Sequence, residues 1–398
     1  MSRFEPGALT SARAAGGVLL TVCLVLTAFN LRPVFSSLSA VLPEVLAGTG
    51  SSPLVGSLLT TLPVLCLGVF APAAPPLARR FGMERVILAM LVAVAAGTLL
   101  RGVPALPAIA AGSLLAGAGI AVMNVILPGL VKRDFPDRTA RVTGLYSMSL
   151  CAGAALAAAL TVPLAGALGS WSAALAAWGL PAVAAALTWL ALPGKPREPA
   201  RPALAGPPLW RDPLAWQVTA FMGSQSALAY CVFGWLAPLL RERGLDPALA
   251  GYVVSVSVFS QMAASLFSAS LATLGRDQRP ASLLLAGLAT GGLLGMMFAP
   301  LPAIWVFAVL QGVGQGGLFS VAMIIIILRS PDPMVAARLS GMAQGLGYLL
   351  AACGPLAIGV IRDQAGHFGP TAILFGGIGL AIGAAALGAG RARLVRAR

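Results

Sequence analysis

Twelve long apolar segments dominate the sequence, and they limit what the chain can fold into more than any other feature. They cover 15–46, 52–77, 86–102, 106–131, 140–167, 172–192, 214–240, 248–274, 281–299, 302–328, 335–361 and 369–390. A helix needs about 20 apolar residues to cross the hydrocarbon core of a bilayer. Inside that core only helices and closed barrels satisfy their backbone hydrogen bonds. The sequence therefore predicts an all-α polytopic membrane protein with twelve transmembrane helices.

The composition excludes the soluble classes of protein. Only 10% of the residues are charged, 58% are hydrophobic and the mean hydropathy is +0.91, whereas a soluble domain carries about 25% charged residues. A chain of 398 residues with so few charges cannot cover a water-facing surface. A soluble enzyme, a nucleic-acid-binding protein and a disordered protein are therefore excluded, and the net charge of +14 needs another explanation.

The distribution of basic residues explains this charge. If the N-terminus is cytoplasmic, 21 Lys and Arg residues fall in cytoplasmic segments and 4 fall in outer segments, while Arg32 lies inside a span. An excess of Lys and Arg marks cytoplasmic loops. We therefore predict a multi-pass protein of the bacterial inner membrane with both termini cytoplasmic. Its expected partners are the lipid bilayer and a small-molecule substrate, without nucleic acid, and we expect a monomer.

The two halves of the chain repeat each other at an offset near 195 residues. The matched pairs are Pro43 and Pro238, Gly56 and Gly251, Gly117 and Gly312, and Pro136 and Pro331. Between the sixth and seventh spans lies a Pro-rich basic interval, which is typical of a semi-rigid linker. We predict an N-terminal six-helix bundle at 1–192, a cytoplasmic linker at 193–213 and a C-terminal six-helix bundle at 214–398. Parallel repeats of this kind place a substrate site between the halves near mid-membrane.

Several stretches resemble a known family. The most specific is GAGIAVMNVILPGLVKRDFPDRTARVTGLYS (117–147), and FNLRPVFSSLSAVLPEV (29–45), LARRFGMERV (77–86), WLAPLL (235–240) and LSGMAQGLGYLLAACGPLAIG (339–359) add to it. With its twelve spans and two similar halves, the chain resembles the major facilitator superfamily and, within it, the cyanate permease and 2-nitroimidazole transporter group. The resemblance implies two pseudo-symmetric six-helix bundles and secondary transport by alternating access, without a cofactor.

The loop after the second span departs from the superfamily pattern. Arg79 stands where the superfamily usually has an acidic residue, and Met83 stands where it has a basic one. The usual charge pairing of the cytoplasmic gate is therefore expected to come from other side chains, or these charges simply anchor the cytoplasmic face. The predicted gating residues are Arg79, Glu84, Asp137, Arg141, Asp332 and Arg338. The exporter-type GPxxGG signature is absent from the fifth span, which favours uptake.

Arg32 is the only basic residue in the body of a span, and it lies near the middle of the first one. An unpaired charge inside the membrane is costly, so such residues usually face a cavity or a partner. We predict that Arg32 binds an anionic or electron-rich group of the substrate. The alternative is that it snorkels outward or braces the backbone around Pro33. Because Pro33 has no N–H to offer the carbonyl of Phe29, a local break in this helix is expected.

Other polar side chains inside the spans are further candidates for substrate contact. An amide or a phenol in a span either lines a water-filled pocket or holds neighbouring helices together by hydrogen bonds. The sequence leaves both roles open. Glu44, near the outer end of the first span, is the one candidate for proton coupling, with a solvated rim position as the alternative. The predicted substrate-binding set is Arg32 with Asn30, Asn124, Tyr146, Gln225, Tyr230, Gln311, Gln315, Gln344 and Tyr348.

The motifs of membrane enzymes and pumps do not occur in this sequence. No span interior carries an Asp, the only histidine is His367 in a predicted loop, and GxSxG, HExxH and GxxxxGK[ST] are all missing. We therefore expect neither an enzyme nor a multi-histidine metal site nor ATP-driven transport. The expected function is uptake of a small polar or anionic solute by a secondary transporter. Efflux of a small aromatic or drug-like compound is the alternative.

Overall fold

The chain folds into helices throughout the part that the computed structural model describes, residues 6–192, 209–273, 277–331 and 333–395. Three short 3-10 turns, Ala71–Ala73, Pro136–Arg138 and Leu301–Ala303, connect some of them, and a fourth, Leu209–Arg211, precedes α11. The α-helices are α1 Pro6–Phe29, α2 Pro33–Ala40, α3 Leu42–Thr49, α4 Pro53–Phe70, α5 Ala74–Phe81, α6 Met83–Leu100, α7 Leu106–Asp134, α8 Thr139–Leu168, α9 Trp171–Ala177, α10 Leu180–Leu190, α11 Pro213–Glu242, α12 Pro247–Thr273, α13 Arg279–Phe298, α14 Ile304–Leu328, α15 Pro333–Ala365 and α16 Thr371–Ala389.

Each predicted span corresponds to one of these helices or to consecutive ones. Eleven segments of the described chain are long and apolar enough to cross a membrane. The remaining predicted span is the 30-residue helix α11. Its Gln and Ser residues make it less apolar than the others, and most of its side chains are buried inside the molecule. The predicted linker at 193–213 lies mostly outside the described residues.

Proline residues divide three of the predicted spans into shorter helices. The expected break at Pro33 is confirmed, because α1 ends at Phe29 and α2 begins at Pro33. The second and sixth spans were predicted as continuous, but Pro72 lies in the turn between α4 and α5, and Pro181 lies in the first turn of α10. Proline removes a backbone donor and is best tolerated in the first turn of a helix, so a new helix begins at each of these positions.

The repeated Gly-x-Gly motif performs the same packing role in both halves. A Cβ added to Gly117 of α7 would press against α4, and one added to Gly312 of α14 would press against α12. Two residues later, a Cβ added to Gly119 would overlap the carbonyl oxygen of Met90, and a Cβ added to Gly314 would overlap the carbonyl oxygen of Leu285. In each half the fourth span thus packs closely on the second and third spans of that half. The equivalent contacts establish two pseudo-symmetric bundles.

Three helix pairs make most of the contacts between the two bundles: α4 with α15, α8 with α12, and α2 with α11. Glycine allows the close approach in the first two pairs. A Cβ at Gly68 would overlap the side chain of Leu349, and a Cβ at Gly251 would overlap the carbonyl oxygen of Ala158. Small residues at crossings let helix backbones approach and pack in a bilayer, where hydrophobicity does not drive helices together.

The connections between helices define two faces of the molecule. The upper face carries 50–52, 101–105, 243–246 and 366–370, and it is the predicted outer side. The lower face carries the turn at Gly82, the connection 135–138 and residues 329–331, and it is the predicted cytoplasmic side. Arg32 lies between the two faces, at the break between α1 and α2.

Candidate functional site

The broken first span places Arg32 between the two bundles. Residues 30–32 form a tight turn in which Asn30 and Leu31 donate their backbone N–H groups to Thr27 and Ala28, three residues back in each case. The carbonyl of Phe29 loses its helical donor at Pro33, and Gly153 of α8 packs directly against this carbonyl. The turn therefore redirects the chain at mid-span, and Arg32 extends from it towards the C-terminal bundle.

Arg32 contacts three aromatic side chains and bonds to one of them across the bundle interface. Its Nη1 donates a hydrogen bond of 2.8 Å to the phenol oxygen of Tyr230 on α11. The guanidinium carbon lies 5.5 Å from the ring centroid of Tyr230, 5.6 Å from that of Phe233 and 5.9 Å from that of Phe35. These distances are within the range of cation–π attraction, so the aromatic groups orient the guanidinium without neutralising it.

Two further tyrosines complete the surroundings of Arg32. The ring of Tyr348 on α15 lies 6.0 Å from that of Tyr230 in an edge-to-face arrangement. Tyr348, Tyr146 and Cys151 all lie within electrostatic range of the guanidinium. Four of the predicted site residues thus meet, contributed by α8, α11, α15 and the turn before α2.

No carboxylate neutralises Arg32 within the described part of the chain. The ion pairs found there join other residues, and the neighbours of Arg32 are phenols, phenyl rings and a thiol. The side chain remains partly exposed. A cation at mid-membrane without a counter-ion is costly, and a guanidinium offers several donors in a planar fork. The arrangement can therefore bind an anionic or electron-rich group.

The sequence did not single out three members of this cluster: Phe35, Phe233 and Cys151. Helical spacing could have found the two phenylalanines, because Phe35 follows Arg32 by three residues and Phe233 follows Tyr230 by three residues. Residues three apart lie on the same face of a helix. Cys151 carried no such signal, since its position depends on how α8 packs.

Three predicted glutamines lie in a separate cluster inside the C-terminal bundle. Gln225, Gln311 and Gln315 are each at most 1% exposed. Gln315 Nε2 donates 3.0 Å bonds to the backbone and side-chain oxygens of Gln225, and Gln311 accepts a bond from Ser257. The structure places these amides between α11, α12 and α14, where they connect helices.

Two of the remaining predicted polar residues form side-chain hydrogen bonds with residues four positions earlier in the chain. Asn30 is 2% exposed and donates a 2.8 Å bond to the carbonyl of Leu26, one turn back in α1. Gln344 is half-buried and donates a 2.8 Å bond to Ser340. Asn124 is half-buried, and its side chain forms no hydrogen bond with another described residue.

An ion pair at the upper face joins the two bundles. Arg241 of α11 donates bonds of 2.8 Å and 2.7 Å to the two carboxylate oxygens of Glu44 on α3. It also donates a 3.4 Å bond to the carbonyl of Ala40. A bidentate guanidinium–carboxylate pair is among the stronger charged contacts in proteins. Glu44, the predicted proton-coupling residue, is therefore part of a contact that closes the upper side.

At the lower face, a charge cluster lies within the N-terminal bundle. Arg133 at the end of α7 pairs with Glu84 at the start of α6 and, at 2.8 Å, with Asp134. In the second half, Arg329 at the end of α14 bonds to Gln278 at the start of α13. Burial lowers the pKa of Arg329, while nearby Asp277 opposes this shift.

Four other predicted gating residues lie on the same lower face. Asp137 and Arg141 are exposed, and no ion pair between them is found in the described chain. Arg79 is exposed and Arg338 is half-buried. Asp332 lies outside the described residues. The structure thus supplies a charged partner for Glu84 but does not bring Asp137 and Arg141 together.

The comparisons with known proteins agree with this geometry. Residues 18–245 match the model of the Major Facilitator Superfamily. The 2-nitroimidazole transporter of Escherichia coli (strain K12) is 37% identical to the chain over 90% of this chain and 92% of that protein. The cyanate transport protein CynX of the same organism is 30% identical over 88% of this chain and 91% of that protein.

A likeness to a solved structure supports the same fold. The crystal structure of the nucleoside transporter NupG is similar with a TM-score of 0.73 at 15% identity, covering 93% of this chain and 99% of that chain. With the two pseudo-symmetric bundles and the interhelical contacts above, these similarities show that the chain belongs to the Major Facilitator Superfamily.

Proposed function

We propose that this transporter takes up a small anionic or electron-rich solute, which binds between Arg32 and Tyr230. The observation that carries the proposal is the uncompensated guanidinium at the bundle interface. Arg32 has no carboxylate partner among the described residues, and its hydrogen bond reaches across to α11. An anionic group of the solute supplies the missing charge and accepts bonds from Arg32 and Tyr230 together.

This placement gives the solute a role in alternating access. Arg32 belongs to the N-terminal bundle, whereas Tyr230 and Tyr348 belong to the C-terminal bundle. A solute held by both sides stays at the centre while the bundles rock around it. In the described conformation Glu44 and Arg241 hold the upper side together, and we propose that this pair opens when the upper side opens.

The solute class rests on the chemistry of the cluster around Arg32 and on the substrates for which the two relatives are named. A guanidinium suits an anion such as the cyanate of one relative and an electron-rich nitro group such as that of the 2-nitroimidazole of the other. Aromatic walls from Phe35, Tyr230 and Phe233 suit a small planar molecule. We propose that Tyr146 and Asn124, both half-buried, provide further contacts.

The test is transport by purified protein in proteoliposomes with cyanate and 2-nitroimidazole as probes. Losing one partner of a buried charge pair costs about 2–5 kcal/mol, so Arg32→Ala should lower uptake about 30-fold or more at low solute concentration. Arg32→Lys keeps the charge but loses the planar fork, and it should retain part of the activity. The control is Arg391→Ala, since Arg391 is exposed at the lower face.

Unchanged uptake by a folded Arg32→Ala protein would contradict the role of this residue. The unfolding midpoint of each variant establishes whether it is folded. The aromatic walls also suit efflux of a small aromatic compound, so the direction is tested separately. Right-side-out vesicles should accumulate the solute if the protein is an importer, and inside-out vesicles should accumulate it if the protein is an exporter. We propose that both termini face the cytoplasm of the inner membrane.

A further inference from the structure

Arg101 is a second cation buried within the molecule, and the solute site proposed at Arg32 does not include it. The sequence places it in an outer segment, but the structure places it at the C-terminal end of α6 with 0% of its surface exposed. Nη1 donates a 3.1 Å bond to the backbone carbonyl of Val34 on α2. No ion pair of the described residues includes Arg101.

Two glycines open the path by which this side chain reaches α2. A Cβ at Gly97 of α6 would overlap the carbonyl of Gly112 on α7, and a Cβ at Gly112 would lie 2.9 Å from Cγ of Arg101. The helices therefore cross with their backbones almost in contact. The long side chain of Arg101 passes along this crossing into the N-terminal bundle.

Four buried polar atoms in this region, two of them in the guanidinium itself, have no hydrogen-bond partner among the described residues. Nε and Nη2 of Arg101 form no hydrogen bond, and neither do the hydroxyl groups of Ser37 and Ser113. Both serines are 0% exposed. Ser113 follows Gly112, whose Cα faces the side chain of Arg101 so closely that an added Cβ would overlap it, and Ser37 lies one helical turn after Val34, which accepts the bond from Nη1. The unpartnered donors thus belong to the same region between α2, α6 and α7.

The contacts that Arg101 makes compensate only part of its positive charge. The carbonyl of Val34 and the negative end of the α6 dipole both favour a cation, but each contributes a partial charge. A buried ion without full compensation is strongly destabilising, and buried donors without acceptors add to the cost. The unpartnered groups are N–H and O–H donors. A small anion would accept from all of them and would also neutralise the guanidinium.

We propose that Arg101, with Ser37 and Ser113, holds a small monovalent anion such as chloride inside the N-terminal bundle. This site is distinct from the one at Arg32, which reaches towards α11, whereas Arg101 approaches α2 from α6 and α7. The proposal does not depend on what the transporter carries. The anion is a resident part of the bundle and stabilises its folded state.

Thermal unfolding of the purified protein tests the proposal. Sodium gluconate is replaced by sodium chloride at constant ionic strength, so that only the small anion changes. Because a ligand that binds the folded state raises its stability with concentration, the unfolding midpoint Tm of the wild type should rise with chloride. Arg101→Gln should abolish the rise, and the matched neutralisation Arg32→Gln should leave it intact.

Two further measurements keep the test decisive if Arg101→Gln fails to fold. Ser113→Ala retains the cation but removes one donor, and it should raise the half-saturating chloride concentration about tenfold, the effect of losing about 1.4 kcal/mol. Crystals grown in bromide should show anomalous scattering beside Arg101. A wild-type Tm that does not respond to chloride, or a response lost in Arg32→Gln but kept in Ser113→Ala, would overturn the proposal.

Discussion

At the residue scale, the central feature is a hydrogen bond between two side chains 198 positions apart. Arg32 and Tyr230 meet because the turn before Pro33 directs one towards the interface and α11 presents the other. Tyr230 itself is 3% exposed, and its ring contacts those of Phe35, Phe233 and Tyr348. Its phenol group is the one polar atom that these packed rings offer to the guanidinium by a direct bond.

Tyr230→Phe isolates the contribution of that phenol group. The ring and its packing remain, so the unfolding midpoint should change little. A hydrogen bond to a charged group contributes about 1.5–3 kcal/mol, and we expect the KM for the solute to rise about tenfold with a smaller change in the maximal rate. Tyr252→Phe is the matched control, because Tyr252 is 40% exposed. An unaltered KM in Tyr230→Phe would show that the phenol does not contact the solute.

At the element scale, proline and glycine decide where helices break and where they touch. Pro33 interrupts the first span and so creates the position of Arg32, while Gly153 lets α8 approach the broken segment. The two bundles use different partners for the cations at the lower ends of α7 and α14. Arg133 pairs with Glu84, whereas Arg329 bonds to the neutral Gln278 and to the carbonyl of Ala389 at the end of α16. Arg329 thus fastens α14 to α13 and α16 through uncharged oxygens.

Gly251→Val tests whether the contact between α8 and α12 is required for closing the upper side. The added side chain cannot fit beside the carbonyl of Ala158, so the bundles must separate there. We expect solute uptake to fall at least several-fold while the helical circular dichroism signal is retained. Gly287→Val is the matched control, since no atom lies within 4 Å of a Cβ at Gly287. Equal transport by the two variants would argue against the contact as part of the cycle.

At the scale of the whole molecule, the described residues join the upper ends of the two bundles by one ion pair and by backbone contacts. Glu44 and Arg241 are 36% and 18% exposed in their side chains. Water therefore screens the pair in part, and such pairs contribute modestly to stability. A modest contact suits a gate that must open in every transport cycle.

Charge reversal at this pair tests the gate. Glu44→Arg and Arg241→Glu each place like charges together, and each should slow transport several-fold by disfavouring closure. The double variant restores opposite charges and should recover part of the rate. The measurement is initial uptake in proteoliposomes at several salt concentrations, because salt screens exposed charges. If the double variant is no faster than the singles, the two residues do not act as a pair in transport.

Much of the architecture follows from the sequence alone. Apolar length fixes where helices cross the membrane, and charge distribution predicts which loops face the cytoplasm. The offset of 195 residues identifies the duplicated bundles. The break at Pro33 follows from the missing N–H of proline. These features depend on local chemistry or on a repeat within the chain, so they can be predicted without knowing which helices touch.

Only the tertiary structure decided which polar side chains meet. Tyr230 joins Arg32, whereas Gln225, five residues earlier on the same helix, binds Gln315 inside the C-terminal bundle. Arg101 lies in a connecting segment by sequence but is fully buried in the fold. The local sequence around a polar residue in a span does not decide whether its side chain faces a cavity, another helix or a connecting loop. Its role is set by the rotation and packing of helices far apart in the chain, because those contacts determine where its partners lie.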